Sequence, residues 1–233
     1  MSYTHPNRYP IKNSKRSSHA VIRRYILELM PKRILDLGCG NGSLTGPIVA
    51  ENVEVFGIES NSHDALLAEE NGLIVSIQKL SDSSTFPQVQ ISLVVAADIL
   101  EHLENCETFL LHLRNSINED SKMIVSIPNV ANIFIRIQLL FGRFTYTERG
   151  ILDKTHLRFY TQKSLLNLFR ATGYSPKVLD VTPIPLSEVL PNRFPRILVK
   201  YSEEILYILA RIRPTLFSYQ FILEVLPNPE KRF

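Results

Sequence analysis

The stretch Arg33-Ile34-Leu35-Asp36-Leu37-Gly38-Cys39-Gly40-Asn41-Gly42-Ser43-Leu44 decides the fold. An apolar run ends in an acid, three glycines follow at two-residue spacing, and a polar residue then opens a helical pattern. The order is strand, tight turn, helix. Glycine is needed where the backbone passes through positive φ or approaches a ligand with no Cβ in the way, and a helix N-terminus just beyond presents free N–H groups. This is a nucleotide-binding turn. Its spacing, Gly-x-Gly-x-Gly with Asp36 two residues ahead, departs from the dinucleotide fingerprint, whose third glycine falls one residue later. A pyrophosphate needs a neutral, donor-rich cradle, whereas an acid at the strand end suits a cationic or hydroxyl-bearing ligand.

On these residues the chain resembles the class I S-adenosylmethionine-dependent methyltransferases, whose first motif reads the same way. The resemblance implies S-adenosylmethionine as cofactor. It also implies that Asp36, Gly38, Cys39, Gly40 and Gly42 lie where the turn passes under the methionine part of that cofactor.

Composition is that of an ordinary globular protein: 233 residues, 21% charged, 45% hydrophobic, net charge +3, enough for one sizeable core and one domain with appendages. The mild charge does not by itself imply nucleic acid. Cys39 and Cys106 lie far apart without a Cys-x-x-Cys partner, so no disulfide framework or zinc site is legible and a reducing compartment fits. No run approaches the roughly 18 apolar residues of a membrane span, and the polar N-terminus has no apolar leader core. A cytoplasmic location is expected.

Residues 1–16 read as a polar tail. Ser17 or Ser18 caps a helix running to Met30 on the spacing of Val21, Ile22, Tyr25, Ile26 and Leu29. After the glycine turn, a helix is expected from about Ser43 to Glu51. The run Val53 to Glu59 is a second strand ending in an acid about twenty residues after the turn, where a carboxylate accepts both hydrogen bonds of a ribose diol. Glu59, with Ser60 beside it, is the ribose ligand on this reading. A helix from Ser62 to Asn71 and a strand from Leu73 to Ile77 follow. Many relatives in the resembled family carry an acid after that strand to hold the adenine amino group. Here the residues are Ser76-Ile77-Gln78-Lys79, and Gln78, Asp82 and backbone groups all stand as substitutes.

The fourth strand, Ile91 to Ala97, is a near-continuous apolar run, as in a strand buried on both faces. It leads into Asp98-Ile99-Leu100-Glu101-His102-Leu103. A helix beginning at Asp98 would set Asp98, Glu101 and His102 on one face at the carboxyl end of a central strand, where ligands of open α/β sheets bind. Asp98 then lines the cofactor pocket, while Glu101 and His102 orient one another or touch substrate. Alternatively Asp98 caps the helix and the other two are surface residues. The pattern Asp98-x-x-Glu101-His102 is also similar to the Glu-x-x-Glu-His ligands of metal-assisted O-methyltransferases acting on quinone precursors or RNA 3′ ends, so a divalent metal stays open.

Helix Cys106 to Ile117 and strand Lys122 to Ile127 precede an insertion over about 130–160, longer than a simple connection needs and therefore a lid or substrate platform. Its sequences Ser126-Ile127-Pro128-Asn129-Val130-Ala131-Asn132, Gly142-Arg143-Phe144 and Gly150-Ile151-Leu152-Asp153-Lys154-Thr155-His156-Leu157-Arg158-Phe159-Tyr160-Thr161 resemble a methyltransferase subfamily often associated with cell-envelope glycans, and a family linked to methionine biosynthesis. That resemblance puts Thr-His-x-Arg-Phe over the methyl end of the cofactor. His156 is then the base for a hydroxyl proton or a further metal ligand, with a loop-holding role as the alternative. Arg136, Arg143, Arg149, Lys154 and Arg158 against Glu148 and Asp153 give the lid a basic balance, for an anionic acceptor or as a solvated face.

Thr161 caps a helix from Gln162 to Thr172, followed by a strand from Lys177 to Val181. A helical insertion over about 186–213 precedes the last strand, Ser218 to Leu226. In that insertion Leu198, Tyr201, Ile205, Ile208 and Ile212 share one face, with Arg193, Arg196, Lys200, Arg211 and Arg213 near its ends. Such a face lies on an anionic membrane, a partner, a lid or a second copy in a homodimer. The whole is a doubly wound, mainly parallel seven-stranded α/β sheet, a Rossmann-like methyltransferase fold with helical insertions in one domain over 17–233. The reaction expected is methyl transfer to a hydroxyl of a small molecule, sugar or lipid-linked glycan, with His156 and His102 as the catalytic residues. A metal-assisted nucleic-acid 2′-O-methyltransferase and a non-catalytic cofactor-binding partner are the alternatives.

Overall fold

The runs at 33–37, 93–97 and 122–128 are almost wholly apolar and almost wholly buried, which suits central strands covered on both faces. The computed structural model describes residues 15–190 and 194–231; the tail expected over 1–16 and Arg193 lie largely or wholly outside them. Strands β1 (Arg33–Leu37), β2 (Glu54–Glu59), β3 (Ile74–Ile77), β4 (Leu93–Ala97), β5 (Lys122–Pro128), β6 (Tyr174–Thr182) and β7 (Gln220–Pro227) form one seven-stranded sheet ordered β3-β2-β1-β4-β5-β7-β6. The first five pair in parallel, and β7 enters antiparallel between β5 and β6. The order reverses between β1 and β4, opening a crevice at their carboxyl ends.

Period-two alternation divides the core. Leu35 and Leu37 of β1 point to the face covered by α4 (Cys106–Ser116) and α6 (Gln162–Ala171), through Phe109, Leu113, Leu165 and Phe169. Ile34 points to the other face, covered by α1 (Ser18–Leu29), α2 (Gly46–Val49) and α3 (Ser62–Glu70), through Ile22, Ile26, Ile48 and Ala68. Each such fully buried side chain contributes roughly 1.5–3 kcal/mol relative to exposure. Side-chain caps fix the helix starts. Ser17 accepts from the Ala20 amide, Asn61 from His63 and Asp64, and Thr161 and Ser164 form a reciprocal capping box.

Three expectations are corrected. The helix expected over Ser43–Glu51 shrinks to the single turn of α2, because Gly46 and Pro47 favour its start but Gly42 and Gly46 leave the preceding residues in turns. The sixth strand is longer than Lys177–Val181 and carries an irregularity between Val178 and Asp180. No helix begins at Asp98: its φ of +52 is left-handed, and only a 3₁₀ turn, Leu100–His102, follows.

Both insertions sit at the carboxyl edge. The lid holds α5 (Ile133–Leu140), and its ends are joined by the Val130 N–H donating to the Tyr160 carbonyl at 3.0 Å. The later insertion folds as α7 (Leu186–Val189), α8 (Arg196–Ile212) and α9 (Pro214–Phe217). Buried Asn129 and Asn132 tie the two together by donating side-chain N–H groups to the Ser218 carbonyl at 2.9 and 2.8 Å.

Asp36 lies inside this core. It is 2% exposed, and its carboxylate accepts a hydrogen bond from the Thr45 hydroxyl at 2.7 Å. Burial pushes its pKa from 3.8 up to about 7, against the Thr45 bond, with the Glu59 charge adding to the rise. The folded chain therefore keeps a proton that the unfolded chain has released between these values, so this residue's contribution to stability falls as pH rises through that window and is level above it. We expect Asp36→Asn to abolish the decline, gaining roughly 3–4 kcal/mol on the wild type between pH 4 and 7 in denaturant titrations. Parallel curves for the two proteins would refute the assignment.

Candidate active site

The turn after β1 runs through Gly38, Gly40 and Gly42 at φ of +68°, +54° and +75°. Gly38 has no space for a side chain, since a Cβ there would fall 2.6 Å from Ile99 Cδ1. Gly40 differs: a Cβ would meet nothing within 4 Å, so its backbone faces the open space that a ligand's close approach requires. Glu59, at the end of β2, reaches across to this turn. Its Oε2 accepts the Gly40 N–H at 2.9 Å, and its Oε1 accepts the Ser60 and Asn61 N–H groups, each at 2.8 Å. Oε2 retains acceptor capacity. The Ser60 hydroxyl, at 3.3 Å from Oε1, is the longest of these bonds and the one a ligand diol would displace most readily. Glu59 and Ser60 thus stand together at the carboxyl end of β2, beside the glycine turn.

Two residues assigned to the ligand turn inward instead. The Cys39 side chain is buried against Gly57, where an added Cβ would come within 2.6 Å of its Sγ. Burial drives its thiol pKa far above the ordinary range, so only the Cys39 backbone belongs to the turn. Asp36 is committed to Thr45 and braces the approach to α2 from below. In the adenine region, Gln78 is engaged as well: its amide donates to the Thr85 carbonyl at 2.9 Å and accepts the Thr85 N–H at 3.0 Å. It shapes the loop between β3 and β4.

Asp98 adopts a left-handed backbone conformation. Its Oδ1 accepts from the Ser126 hydroxyl and from the Gln220 amide, both at 2.7 Å. One carboxylate oxygen thereby links the ends of β4, β5 and β7 at the crevice. Without a helix starting at Asp98, the three residues Asp98, Glu101 and His102 do not share one helical face.

A different grouping replaces it, drawn from segments far apart in sequence. The Glu101 carbonyl accepts the Leu157 and Arg158 N–H groups at 2.9 and 3.1 Å, fastening the lid's Thr155-His156-Leu157-Arg158 onto the turn after β4. His102 Nδ1 lies 3.1 Å from the Thr155 carbonyl, and His156 Nδ1 lies 3.0 Å from the Ile151 carbonyl. Because a carbonyl only accepts, each Nδ1 carries a hydrogen. The two rings meet edge to face at 4.8 Å, and His156 Nε2 lies 3.8 Å from Oε1 of the buried Glu101. Burial lowers the His156 pKa, and a proton on His102 would lower it further. Asp153 shapes this loop by accepting from both the N–H and the hydroxyl of Thr155, at 2.8 and 2.7 Å.

Ligand atoms of Glu101, His102 and His156 lie within 4.8 Å of one another. One carboxylate with two imidazoles, each oriented through Nδ1–H to a carbonyl, is a donor set suited by type to a divalent cation. Contraction would be needed to bring such atoms to the roughly 2.0–2.2 Å bonds of Mg²⁺ or Zn²⁺. Much of the lid's basic balance has internal work. Arg158 donates to the Glu104 carbonyl at 2.9 Å, Arg136 to the Ala131 carbonyl at 2.6 Å, and Lys154 pairs with Glu148 at 2.7 Å. Pattern reading missed Ile99, Ser126 and Gln220, whose roles depend on contacts across the sheet and carry no local signal.

The chain is similar to known proteins in sequence and in fold. A ubiquinone biosynthesis O-methyltransferase of Rickettsia felis is 31% identical over 100 residues, which is 41% of this chain and 41% of that protein. The matched part thus spans less than half the length of such relatives. Among solved structures, a SAM-dependent methyltransferase from Archaeoglobus fulgidus superposes with a TM-score of 0.57 at 18% identity, covering 91% of this chain and 96% of that one. Magnesium protoporphyrin IX methyltransferase from Synechocystis PCC 6803, with SAH bound, gives 0.58 at 15% identity, covering 91% and 82%. At these identities the structural likeness is one of fold. The family model described as "Methyltransferase domain" matches residues 14–177, a span that contains the glycine turn, Glu59, Asp98 and both histidines. This chain belongs to the methyltransferase-domain family.

Proposed function

We propose that the chain transfers the sulfonium methyl group of S-adenosylmethionine to a hydroxyl of a small molecule, a sugar or a lipid-linked glycan. The observation that carries the hydroxyl acceptor is the oriented His156 imidazole, with its Nδ1–H fixed on the Ile151 carbonyl and its Nε2 3.8 Å from the Glu101 carboxylate. The names of the curated relatives support an oxygen acceptor, and the resemblance of the lid to glycan-associated enzymes supports a sugar.

Bound in the crevice, the cofactor supplies an electrophilic methyl carbon. The glycine turn and Glu59 would hold its nucleoside and amino-acid portions, and the lid loop would bring the acceptor oxygen in line. As the methyl group moves to the acceptor oxygen, His156 Nε2 would take the hydroxyl proton. Glu101, buried beside that nitrogen, stabilises the imidazolium. Alignment provides the larger share of the acceleration.

A second reading has the same three side chains holding a divalent ion, which when bound would lower the pKa of the acceptor hydroxyl. The matching Nδ1–carbonyl bonds favour it, since ligand histidines are commonly oriented in this way.

Two outcomes are expected. With release of S-adenosylhomocysteine monitored over a panel of phenolic, sugar and isoprenoid-linked acceptors, His156→Ala lowers kcat roughly 10²–10⁴-fold and leaves S-adenosylhomocysteine affinity unchanged. An unaltered kcat on the preferred acceptor would remove His156 from the chemistry. Under the ion reading, a chelator abolishes turnover, Mn²⁺ or Mg²⁺ restores it, and Glu101→Gln reproduces the loss; turnover indifferent to chelator leaves the base reading alone.

A further inference from the structure

Helix α8 is packed inside out. Its inward face carries Glu203, Tyr207 and Ala210, and the first two are fixed by polar contacts. Glu203 accepts from the Ser187 N–H and hydroxyl, each at 2.8 Å, and the Tyr207 hydroxyl donates to Asp180 at 3.0 Å. The Arg16 guanidinium stacks 3.9 Å from the Tyr207 ring and pairs with Glu204 at 2.8 Å. The apolar residues point the other way. Ile197, Leu198, Tyr201, Ile205, Ile208 and Ile212 are between 55% and 66% exposed. At about 100° per residue they fall within an arc of about 100° along the whole helix.

A stripe of this kind is far more apolar surface than a helix needs for its own docking, and water is a poor neighbour for it. Lys200 and Arg211 run along one border of the stripe, and Arg196 and Arg213 stand at its two ends, all exposed. Among the charged side chains described on this helix, the two acids are both engaged, Glu203 with Ser187 and Glu204 with Arg16. The outward charge is therefore basic. In the lid, Ile137, Leu140 and Phe141 are exposed as well.

We propose that this face seats the protein on a lipid bilayer rich in anionic headgroups, with α8 lying in the plane of the interface. The apolar stripe would enter the boundary between headgroups and acyl chains while Arg196, Lys200, Arg211 and Arg213 meet the lipid phosphates. No helix among the described residues is long and apolar enough to cross a membrane, so α8 lies on the surface and does not span. Charge favours lipid over a second copy. In a two-fold pairing of α8 with itself, parallel or antiparallel, basic ends would face basic ends with no outward acid to meet them. The carboxyl edge of the sheet, with the lid and the crevice, would then open near the bilayer, where an amphiphilic acceptor resides. Only that last consequence rests on the methyl-transfer reading; the docking itself does not.

The test is co-sedimentation of the purified chain with phosphatidylcholine vesicles with and without phosphatidylglycerol. Binding is expected only with phosphatidylglycerol, weakening as salt rises. Ile205→Glu with Ile208→Glu should abolish it, and Lys200→Ala with Arg211→Ala should weaken it roughly twenty- to thirty-fold. All four positions are exposed, so S-adenosylhomocysteine affinity and thermal unfolding should match the wild type in both variants. Failure to bind anionic vesicles overturns the proposal. So does binding that the double Ile→Glu variant retains. A wild-type dimer by light scattering that the same variant dissociates, with no vesicle binding, would assign the face to a second copy instead.

Discussion

One carboxylate holds the glycine-turn end of the crevice together. Glu59 stands at the tip of β2 and accepts N–H groups from two different loops, Gly40 in the turn after β1 and Ser60 and Asn61 at the entry to α3. Hydrogen bonds to an ionised acceptor are stronger than neutral ones, and these help fix the distance between the two turns, alongside the Asn71 amide on the Asn41 carbonyl. The glycines determine what that fixation achieves. With Gly38 closed over by Ile99 and Gly40 open, the backbone is supported on one side and accessible on the other. A ligand meeting the turn finds a preformed edge, with the acid beside it already oriented for a diol.

The chemical end depends on a contact of another kind. The motif after β4 and the motif in the lid are 53 residues apart where His102 meets Thr155, and neither builds a site alone. The Glu101 carbonyl receives two consecutive lid amides, and this brings His156 against the Glu101 side chain and the His102 ring. Asp98, left-handed in its backbone, meanwhile secures β4, β5 and β7. Rigid strands carry the cofactor turn, and a loop pinned by backbone hydrogen bonds carries the candidate base. That division gives the acceptor side room to vary while the donor side stays constant.

Much of this was legible in the chain itself. Three glycines after an apolar run, an acid about twenty residues later and a string of alternating strand and helix patterns determine a doubly wound, mainly parallel seven-stranded sheet and the place of Glu59 at the end of its second strand. Orientation was not legible. Nothing in the spacing of Asp36 or Cys39 tells that both side chains turn inward, because that depends on Thr45 and on Gly57 of a neighbouring strand. The helix expected at Asp98 fails because Ser126 and Gln220 draw that carboxylate across the sheet, a long-range bond that overrides local propensity. The apolar face of α8 was visible as a pattern. Its outward direction was not, since periodicity locates a stripe without saying which side meets the body of the protein.

The most direct measurement of the central claim is calorimetric titration of the purified chain with S-adenosylmethionine and S-adenosylhomocysteine, comparing wild type with Glu59→Ala. The geometry predicts saturable binding of both ligands, with the substitution weakening both through loss of the diol acceptor and of the bond that steadies Gly40. Absence of heat from either ligand, or binding that Glu59→Ala leaves intact, would contradict the placement of the cofactor on this edge of the sheet.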